Sequence, residues 1–467
     1  MNGLTGRARR IGWVGGMLGS LALGITLFGG EPVYQAEHAG NRLDGIEVLE
    51  STNGTFRLRS SRAAQGRIVI KADAPVVLVS SEGATAKLRL GWDGSLEYAH
   101  YGIEVAFPAA GEATVVVRAI PHPEKPVIET EADFARFKKA YDSRSSRFPD
   151  EGFEAWRKEY RGKLAAILMG GGLPQRVPLE VKILETKEYP KFTLRRIEYR
   201  SQSDRVNVAL LSLPKGVEKA PLLVALHGHE NDWGEAAEKA YTPGNADDFC
   251  AFFAERGWAV LQPATMNHKL QHPAWTLQGE WSWDAIVAVD YAATVPEVDM
   301  SRVAVCGLST GAHLAMNVIA LDDRVRAGVI GCIFSTWNHY QRRFRVPPHC
   351  ECGILGQLGG RIEQCDWAAL AAPKPVQFHH GRKDPSMCPG ADPNDLIPGN
   401  QWIKTGLCAN TGTMPQAEYD TALAEVRRAY RAAGGTDGMV SNVIHDGPHS
   451  VDNSSAFDWL TKVLPRP

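Results

Sequence analysis

One serine carries the clearest chemical signal in the sequence. Ser309 lies in the run VAVCGLSTGAHLAM (303–316), with Gly307 two residues before it and Gly311 two residues after it. An apolar, strand-like run leads into this pattern, and an alanine-rich, helix-like run follows it. A strand that turns at once into a helix strains the backbone of the central residue, and any Cβ on the flanking positions would clash across the turn. The pattern G-x-S-x-G at such a junction therefore predicts a nucleophilic serine at the carboxyl end of a strand.

A serine hydroxyl is a weak nucleophile at neutral pH. It needs a base that takes its proton and a carboxylate that orients the base. In this arrangement the carboxylate and then the histidine follow the serine along the chain, each in a loop after a later strand. Asp384 follows the strand-like run PVQFHHG, and His449 follows MVSNVIHDG. We therefore predict a catalytic triad of Ser309, Asp384 and His449.

Other residues compete for these two roles. His445 lies within the last strand-like run, four residues before His449, and is expected to be packed or hydrogen-bonded. His379 and His380 precede the predicted acid and are expected to be strand residues. Asp446 is too close to the base in the sequence to reach around it comfortably.

Negative charge on an attacked carbonyl oxygen requires backbone N–H donors. Thr310 is expected to supply one, because it follows the nucleophile and lies at a helix N-terminus, where the helix dipole adds to the effect. The second donor is expected after an earlier strand, where LLVALHGHEND contains the run HGH. We assign this donor to the N–H of His229. A metal site built on His227 and His229 is the alternative.

Strands and helices alternate around these residues. The runs PLLVALHG, WAVLQPA, SRVAVCGL, AGVIGCIF, PVQFHHG and MVSNVIHDG are strand-like, and helical segments lie between most of them. Apolar strands that alternate with helices form a mainly parallel sheet that is covered on both faces. FTLRRIEYRS and VNVALLSLP precede them as expected antiparallel strands. The predicted fold class is therefore α/β.

The first part of the chain has a different pattern. Short β-branched runs between about residues 41 and 120 predict a small all-β, sandwich-like domain. Charged helical sequence follows it and ends at three glycines, 170–172. The predicted organisation is a signal peptide or membrane anchor at 1–39, the β-sandwich-like domain at 40–122, a helical linker at 123–176 and the catalytic domain at 177–467.

Composition and the N-terminus limit the partners and the location. The 467 residues carry a net charge of −2, which gives no basic surface for nucleic acid, so no nucleic-acid partner is expected. Arg7, Arg9 and Arg10 precede twenty uncharged residues, 11–30, which indicate either a cleaved secretory signal or an uncleaved membrane anchor. Both alternatives place the body of the protein outside the cytoplasm. We expect a periplasmic, extracellular or membrane-anchored protein.

Export makes disulfide bonds feasible. Cys306 and Cys332 lie in strand-like runs and are expected to be buried and unpaired. Five cysteines lie in loop-like segments between residues 334 and 416, where cross-links of unknown connectivity are expected. These are Cys350, Cys352, Cys365, Cys388 and Cys408. A zinc site built on His349, Cys350 and Cys352 is the alternative.

These segments together resemble the α/β-hydrolase superfamily, and within it the dienelactone hydrolase and acetyl xylan esterase-like branch. The resemblance rests on HGH, on the segment from Trp283 to His313, on ALDDRVRAGVIGCIFSTW, on AAPKPVQFHHGRKDP and on the closing PHS. It covers about residues 177–467. Dienelactone hydrolases proper use a cysteine nucleophile, whereas this chain has Ser309. The resemblance therefore implies a serine esterase with the α/β-hydrolase fold, which requires no cofactor and no metal.

The sequence predicts a carboxylic ester hydrolase for short-acyl, acetyl-type esters, with carbohydrate esters as candidate substrates. The segment 335–364, where a cap is expected, is polar and offers little apolar area to a long acyl chain. Trp275, Trp281 and Trp283 are either sugar-stacking residues or core residues.

Two other functions are the alternatives. A serine peptidase of the prolyl oligopeptidase type would carry a β-propeller, and the region before the catalytic domain shows no propeller repeat. A non-catalytic binding protein on a hydrolase scaffold would have lost part of the triad, whereas every element of a triad is present in the sequence.

Overall fold

The computed structural model describes 32–34, 36, 41–71, 76–92, 99–119, 143–144, 146–149, 151–229, 237, 240–241, 248–265, 270–272, 274–337, 339, 358, 361–384, 388–390 and 414–465. The predicted signal peptide or anchor lies almost entirely outside these residues. Within the described part of the chain, no helix combines the length and the apolar character that a membrane span requires.

The strands are β1 (Val33–Tyr34), β2 (Ile46–Thr52), β3 (Thr55–Ser60), β4 (Ala64–Lys71), β5 (Val76–Glu82), β6 (Thr85–Trp92), β7 (Ala99–Phe107), β8 (Gly111–Ala119), β9 (Lys182–Glu188), β10 (Phe192–Gln202), β11 (Arg205–Pro214), β12 (Ala220–Leu226), β13 (Ala259–Pro263), β14 (Val298–Leu308), β15 (Val325–Gly331), β16 (Val376–Gly381) and β17 (Val440–His445). The helices are α1 (Phe153–Met169), α2 (Phe249–Ala254), α3 (Leu277–Ala292), α4 (Thr310–Leu321), α5 (Gln364–Ala369), α6 (Gln416–Ala432) and α7 (Asn453–Val463).

The predicted parallel sheet is present at the centre of the molecule. Its six strands follow the order β13–β12–β14–β15–β16–β17, and each neighbouring pair is parallel. Every residue of β12 and β16 is buried, as expected for strands that are covered on both faces. The helices fall into two contact groups, with α1, α3, α4, α5 and α6 in one and α2 and α7 in the other. These two groups cover the sheet and confirm the α/β class.

The antiparallel strands predicted before the parallel sheet are also present. β10 pairs with β11 along almost its whole length, and β9 adds to the far side of β10. β11 then joins the parallel strands through an antiparallel ladder with β13, in which Ala209 lies opposite Pro263. The large sheet is therefore mixed, and its parallel part is built from the later strands of the chain, β12 to β17.

The N-terminal strands form two sheets. One has the order β2–β3–β8–β5, and the other has the order β1–β4–β7–β6. The second continues into the large sheet, because β6 pairs with β11 at Leu90 and Arg205. Buried side chains from both N-terminal sheets, such as Phe56 and Ile103, belong to one core. These strands are where β-structure was expected, and the domain boundary at residue 122 stays a prediction.

Helix α1 lies within the segment that was predicted as a linker. Trp156, Tyr160, Leu164 and Leu168 are buried and repeat every four residues, so they form one face of the helix. This face packs towards α3, and the carbonyl of Leu168 accepts the N–H of Thr276 at 2.9 Å. The helix is therefore part of the layer that covers the parallel sheet.

A buried ion cluster fixes the beginning of helix α3. Arg205, at the start of β11, donates to Glu280 at 2.8 Å and to Asp284 at 2.7 Å, and all three side chains are buried. A second oxygen of Glu280 accepts the backbone N–H groups of Gln271 and His272 at 2.8 and 2.7 Å. The cluster therefore ties one strand, one helix and the loop before that helix together.

We predict that Arg205→Met destabilises the fold, because it removes the cation of the buried Asp284 carboxylate and leaves buried Glu280 with His272 as its partner. The expected loss in the free energy of unfolding is about 3–5 kcal/mol, measured by urea denaturation. Arg431→Met is the matched control. Its ion pair with Asp437 is more than half exposed on both sides, so the expected loss is below about 1 kcal/mol. Equal losses for the two variants would contradict this account of the cluster.

Candidate active site

Ser309 occupies a strained turn between β14 and α4. Its φ of 55° and ψ of −120° lie outside the regions that residues with a Cβ prefer. A Cβ on Gly307 would lie 2.1 Å from the carbonyl oxygen of Gly311, and a Cβ on Gly311 would lie 2.1 Å from the carbonyl oxygen of Leu226. Both positions therefore require glycine. Ser309 projects from this turn, as the G-x-S-x-G pattern predicts.

Asp384 and His449 form a direct hydrogen bond. Nδ1 of His449 lies 2.5 Å from Oδ2 of Asp384, which is almost fully buried, whereas the imidazole is 38% exposed. An ionised carboxylate only accepts hydrogen bonds, so Nδ1 carries the proton and Nε2 keeps a lone pair. Asp384 and His449 come from the loops after β16 and β17, as the sequence predicts.

The loop that carries His449 packs tightly against the turn after β16. A Cβ on Gly381 would lie 1.7 Å from the carbonyl oxygen of Pro448. Backbone bonds join the two segments as well, from Lys383 N to the Gly447 carbonyl at 3.0 Å and from Arg382 N to the His445 carbonyl at 2.7 Å. The position of the imidazole therefore depends on this close backbone approach.

His445 forms two hydrogen bonds to the backbone of the same loop. Its Nδ1 accepts the N–H of Gly447 at 3.0 Å, so its Nε2 carries the proton and donates to the Ser450 carbonyl at 2.8 Å. The expectation that His445 is hydrogen-bonded is confirmed. Its two bonds hold the turn on which His449 lies.

Cys332 links the serine turn to the histidine loop. Its neighbour Gly331 accepts the N–H of Ser309 at 2.8 Å, and the Cys332 thiol donates to the carbonyl of Ser450 at 3.3 Å. Cys332 itself has a φ of 56°. Burial, and then the nearby Asp384, raise the pKa of this thiol well above its usual value, so it is neutral. The segments that carry Ser309 and His449 therefore meet at this cysteine.

The role of Cys332 was missed from the sequence. It was expected to be buried and unpaired, and the structure confirms that it is a free, buried thiol. The run GVIGCIF placed it inside a strand, whereas β15 ends at Gly331. The only available signal was its place at the end of a strand next to the one that carries the nucleophile.

The two expected oxyanion donors lie at the ends of adjacent strands. Thr310 is the first residue of α4, and His229 follows β12. β12 and β14 are neighbours, with Leu226 opposite Gly307, so both donors lie at the same edge of the sheet. Burial lowers the pKa of the His229 ring, which favours its neutral form. Assignment of the two N–H groups to an oxyanion hole stays a prediction.

The competing histidines and the competing aspartate have other surroundings. His227 is buried, with Nδ1 2.9 Å from the Gly228 carbonyl and Nε2 2.9 Å from Oγ1 of Thr265, so both ring nitrogens have protein partners. The buried ring of His379 bonds to Gln377 at 2.7 Å, and burial lowers its pKa to about 3. Asp446 forms an exposed ion pair with Arg382. These contacts account for the three residues as parts of the scaffold.

His380 and two of the three candidate tryptophans are core residues. The His380 ring is buried against Tyr419 in an edge-to-face contact. Trp281 and Trp283 are fully buried, which rules out sugar stacking for both. Trp275 is partly exposed, and its ring stacks on His272 at 4.5 Å.

The expectation of cross-links is wrong for two cysteines. Cys365 and Cys388 are free and buried, and Cys365 lies in helix α5 rather than in a loop. Cys306 is free and buried, as expected. The remaining cysteines of the predicted cross-linked region, and the alternative zinc site with them, lie outside the described residues.

Comparisons with known proteins find similarity to esterases. The acetyl xylan esterase family (AXE1) matches residues 184–348, which include Ser309 and end before Asp384 and His449. YtaP of Bacillus subtilis (strain 168), provisionally named a hydrolase, is 24% identical over 242 residues, which is 47% of this chain and 78% of that protein. A crystal structure from Bacteroides fragilis NCTC 9343, provisionally named an acetyl xylan esterase, has a TM-score of 0.52 at 14% identity and covers 72% of this chain and 95% of its own.

These findings fix the class of the protein. The family match confirms the resemblance to the acetyl xylan esterase-like branch that was identified from the sequence. The structural match supports the α/β-hydrolase type of fold. The chain is a carboxylic ester hydrolase.

We predict that Gly381→Ala reduces ester hydrolysis, because the new methyl group must displace the loop that holds His449. A displacement of about 1 Å is expected to reduce kcat/KM by about 100-fold. Gly162→Ala is the matched control, since a Cβ at that position in α1 meets no atom within 4 Å. It should retain full activity and gain up to about 1 kcal/mol of stability. Full activity of folded Gly381→Ala would contradict the proposed loop constraint.

Proposed function

We propose that this protein is a serine esterase that removes short acyl groups, above all acetyl, from carbohydrate esters. Ser309, His449 and Asp384 act as nucleophile, general base and orienting acid. The hydrogen bond of 2.5 Å between His449 and Asp384, on loops that pack next to the strained serine turn, is the observation that carries this proposal.

The reaction begins with the attack of Ser309 Oγ on the acyl carbon. Nε2 of His449 takes the hydroxyl proton, and the backbone N–H groups of His229 and Thr310 stabilise the negative charge on the carbonyl oxygen. His449 then protonates the leaving alcohol, and an acyl-enzyme remains on Ser309. Water enters, His449 takes a proton from it, and the acid product leaves with the serine restored.

Asp384 supports this cycle through its hydrogen bond to Nδ1 of the imidazole ring. The bond to Nδ1 selects the tautomer that leaves the Nε2 lone pair available for the serine proton. When His449 becomes positively charged, the buried carboxylate stabilises that charge strongly, because the surroundings screen it less than water would. No metal or organic cofactor enters this mechanism.

Two observations support an acetylated carbohydrate as the substrate. The chain matches the acetyl xylan esterase family over residues 184–348. The segment 335–364 is rich in Asn, His, Gln, Arg and Glu side chains and poor in large aliphatic ones. Such a segment can hydrogen-bond a polar alcohol but gives an alkyl chain little apolar surface. Most of it lies outside the described residues.

The peptidase alternative gains no support from the fold. The N-terminal strands from Ile46 to Ala119 build two sheets, and one of these continues into the sheet of the hydrolase. A propeller of at least four blades of ~40 residues each would be larger than this region. Export, with or without membrane attachment through residues 11–30, remains a proposal from the sequence.

We predict that Ser309→Ala and His449→Ala each lower kcat for p-nitrophenyl acetate by at least about 1,000-fold. Because the two groups act as a unit, the double variant should lose little more than either single variant. Circular dichroism must show that the variants are folded. Retention of more than about a tenth of the activity by folded Ser309→Ala would exclude this serine as the nucleophile.

His445→Ala is the matched control for the base. It removes the two hydrogen bonds within the loop, so its thermal midpoint should fall, while its activity loss should be far smaller than that of His449→Ala. The reverse order of activity losses would assign the role of base to His445.

We also predict that kcat/KM is highest for acetate in a series of p-nitrophenyl esters from acetate to decanoate. A groove for the acyl chain would add up to ~0.8 kcal/mol for each buried methylene, and efficiency would then rise steadily with chain length. A maximum at octanoate or decanoate would contradict the short-acyl proposal. Acetylated xylan and a proline-containing peptide separate the esterase from the peptidase alternative. An esterase releases acetate from the xylan and does not cleave the peptide, and a peptidase gives the reverse result.

A further inference from the structure

Three different metal-binding side chains, one of them that of the proposed base, converge below the surface of the proposed active site. Sγ of Cys332, a carboxylate oxygen of Asp384 and a ring nitrogen of His449 all lie within 4.8 Å of one another. Cys332 and Asp384 are buried, whereas the imidazole of His449 is 38% exposed. The cluster is therefore enclosed on one side and can be reached from the side of the histidine.

The chemistry of this set matches a thiophilic divalent cation. Zn²⁺ binds thiolate, imidazole and carboxylate ligands, whereas Mg²⁺ and Ca²⁺ prefer oxygen ligands alone. Bonds of about 2.0–2.3 Å in a tetrahedron place the ligand atoms about 3.3–3.7 Å apart. The bond of 2.5 Å between His449 and Asp384 would have to open, and the thiol would have to approach. Both changes are of the order of 1 Å.

The charges also match. A thiolate, a carboxylate and a neutral imidazole together carry two negative charges, and one Zn²⁺ ion balances them. A buried site with no net charge avoids the large cost of an unpaired buried ion. Solvent on the exposed side of His449 can supply water as the fourth ligand.

We propose that Cys332, Asp384 and His449 form a binding site for Zn²⁺, and that the bound ion inhibits the enzyme. The inhibition, but not the binding, rests on the proposed function. On binding, the Cys332 thiol releases its proton to solvent as the Zn–S bond forms. Nδ1 of His449 bonds to the ion, and its proton moves to Nε2. The imidazole then has no lone pair left to accept the proton of Ser309.

Direct binding is measured on the full chain with the substitution Ser309→Ala, by calorimetric titration with Zn²⁺. One Zn²⁺ per chain is expected, and titration with Co²⁺ should produce a thiolate-to-metal charge-transfer band. The double variant Ser309→Ala, Cys332→Ser should bind Zn²⁺ at least about 10-fold more weakly than Ser309→Ala alone and should lack the band. Cys250→Ser, at another free, buried thiol, is the matched control and should change neither. Cys332→Ala replaces the serine variant if that variant does not fold.

Inhibition is measured with p-nitrophenyl acetate, and each variant is compared with its own rate in the absence of metal. Zn²⁺ should inhibit the wild-type chain and Cys250→Ser, and EDTA should restore both. Cys332→Ser should require at least about 10-fold more Zn²⁺ for the same inhibition.

Three outcomes would overturn the proposal: no Zn²⁺ binding to Ser309→Ala, unchanged binding after Cys332→Ser, or binding without inhibition. An inactive wild-type chain would overturn the proposed function alone, because the calorimetric titration would still decide whether the metal site exists.

Discussion

The site depends on the close approach of two backbone segments, the end of β12 and the turn that places Ser309 between β14 and α4. The carbonyl oxygen of Leu226 lies so near Gly311 that no side chain fits between them. This contact requires β12 and β14 to be adjacent and in register, with Leu226 opposite Gly307. The strained conformation of Ser309 costs of the order of 1–3 kcal/mol. The buried parallel sheet on both sides of the turn holds that conformation in place.

The second half of the site comes from a distant part of the chain and depends on the same principle. β16 and β17 are parallel and pair Gly381 with His445, so their following loops leave the sheet side by side. Backbone bonds and the contact of Gly381 with Pro448 then join the two loops. Side chains from the two loops meet only because their backbones are fixed first. The register of β16 and β17 therefore determines the distance between the proposed acid and the proposed base, and the flexibility of their side chains contributes less.

Local sequence patterns were sufficient to predict those parts of the fold that depend on neighbouring residues in the chain. The serine turn, the parallel strands, the antiparallel strands before them and the positions of Asp384 and His449 all followed from glycine spacing, apolar runs and chain order. In the N-terminal region the β-branched runs RIVIKA, VVLVSS, AKLRLGW and TVVVRAI predict four strands, which correspond to β4, β5, β6 and β8. Strands β2, β3 and β7 are not predicted individually, because their alternating polar residues and weak turn signals resemble irregular surface sequence.

Long-range contacts account for what the sequence did not show. The run WDAIVAVDYAATV predicts a helix from Trp283, whereas helix α3 begins at Leu277. Its first turns bury Glu280 and Asp284. Polar residues normally indicate the surface, and their partner Arg205 lies in a strand far away in the sequence. Cys332 belongs to the site for a similar reason, because only the pairing of β14 with β15 brings it next to the serine turn.

The proposed mechanism depends on the charge of Cys332, and burial in the core keeps this thiol neutral. In the scaffold, the buried carboxylates of Glu280 and Asp284 lie against the permanent cation of Arg205. Asp384 instead lies against the imidazole of His449, which in the proposed mechanism becomes a cation only during the reaction. A thiolate beside Asp384 would add a second buried negative charge and raise the affinity of His449 for protons at all times. Because burial keeps the thiol neutral, one carboxylate faces one imidazole, and the ring can release its proton to the leaving alcohol.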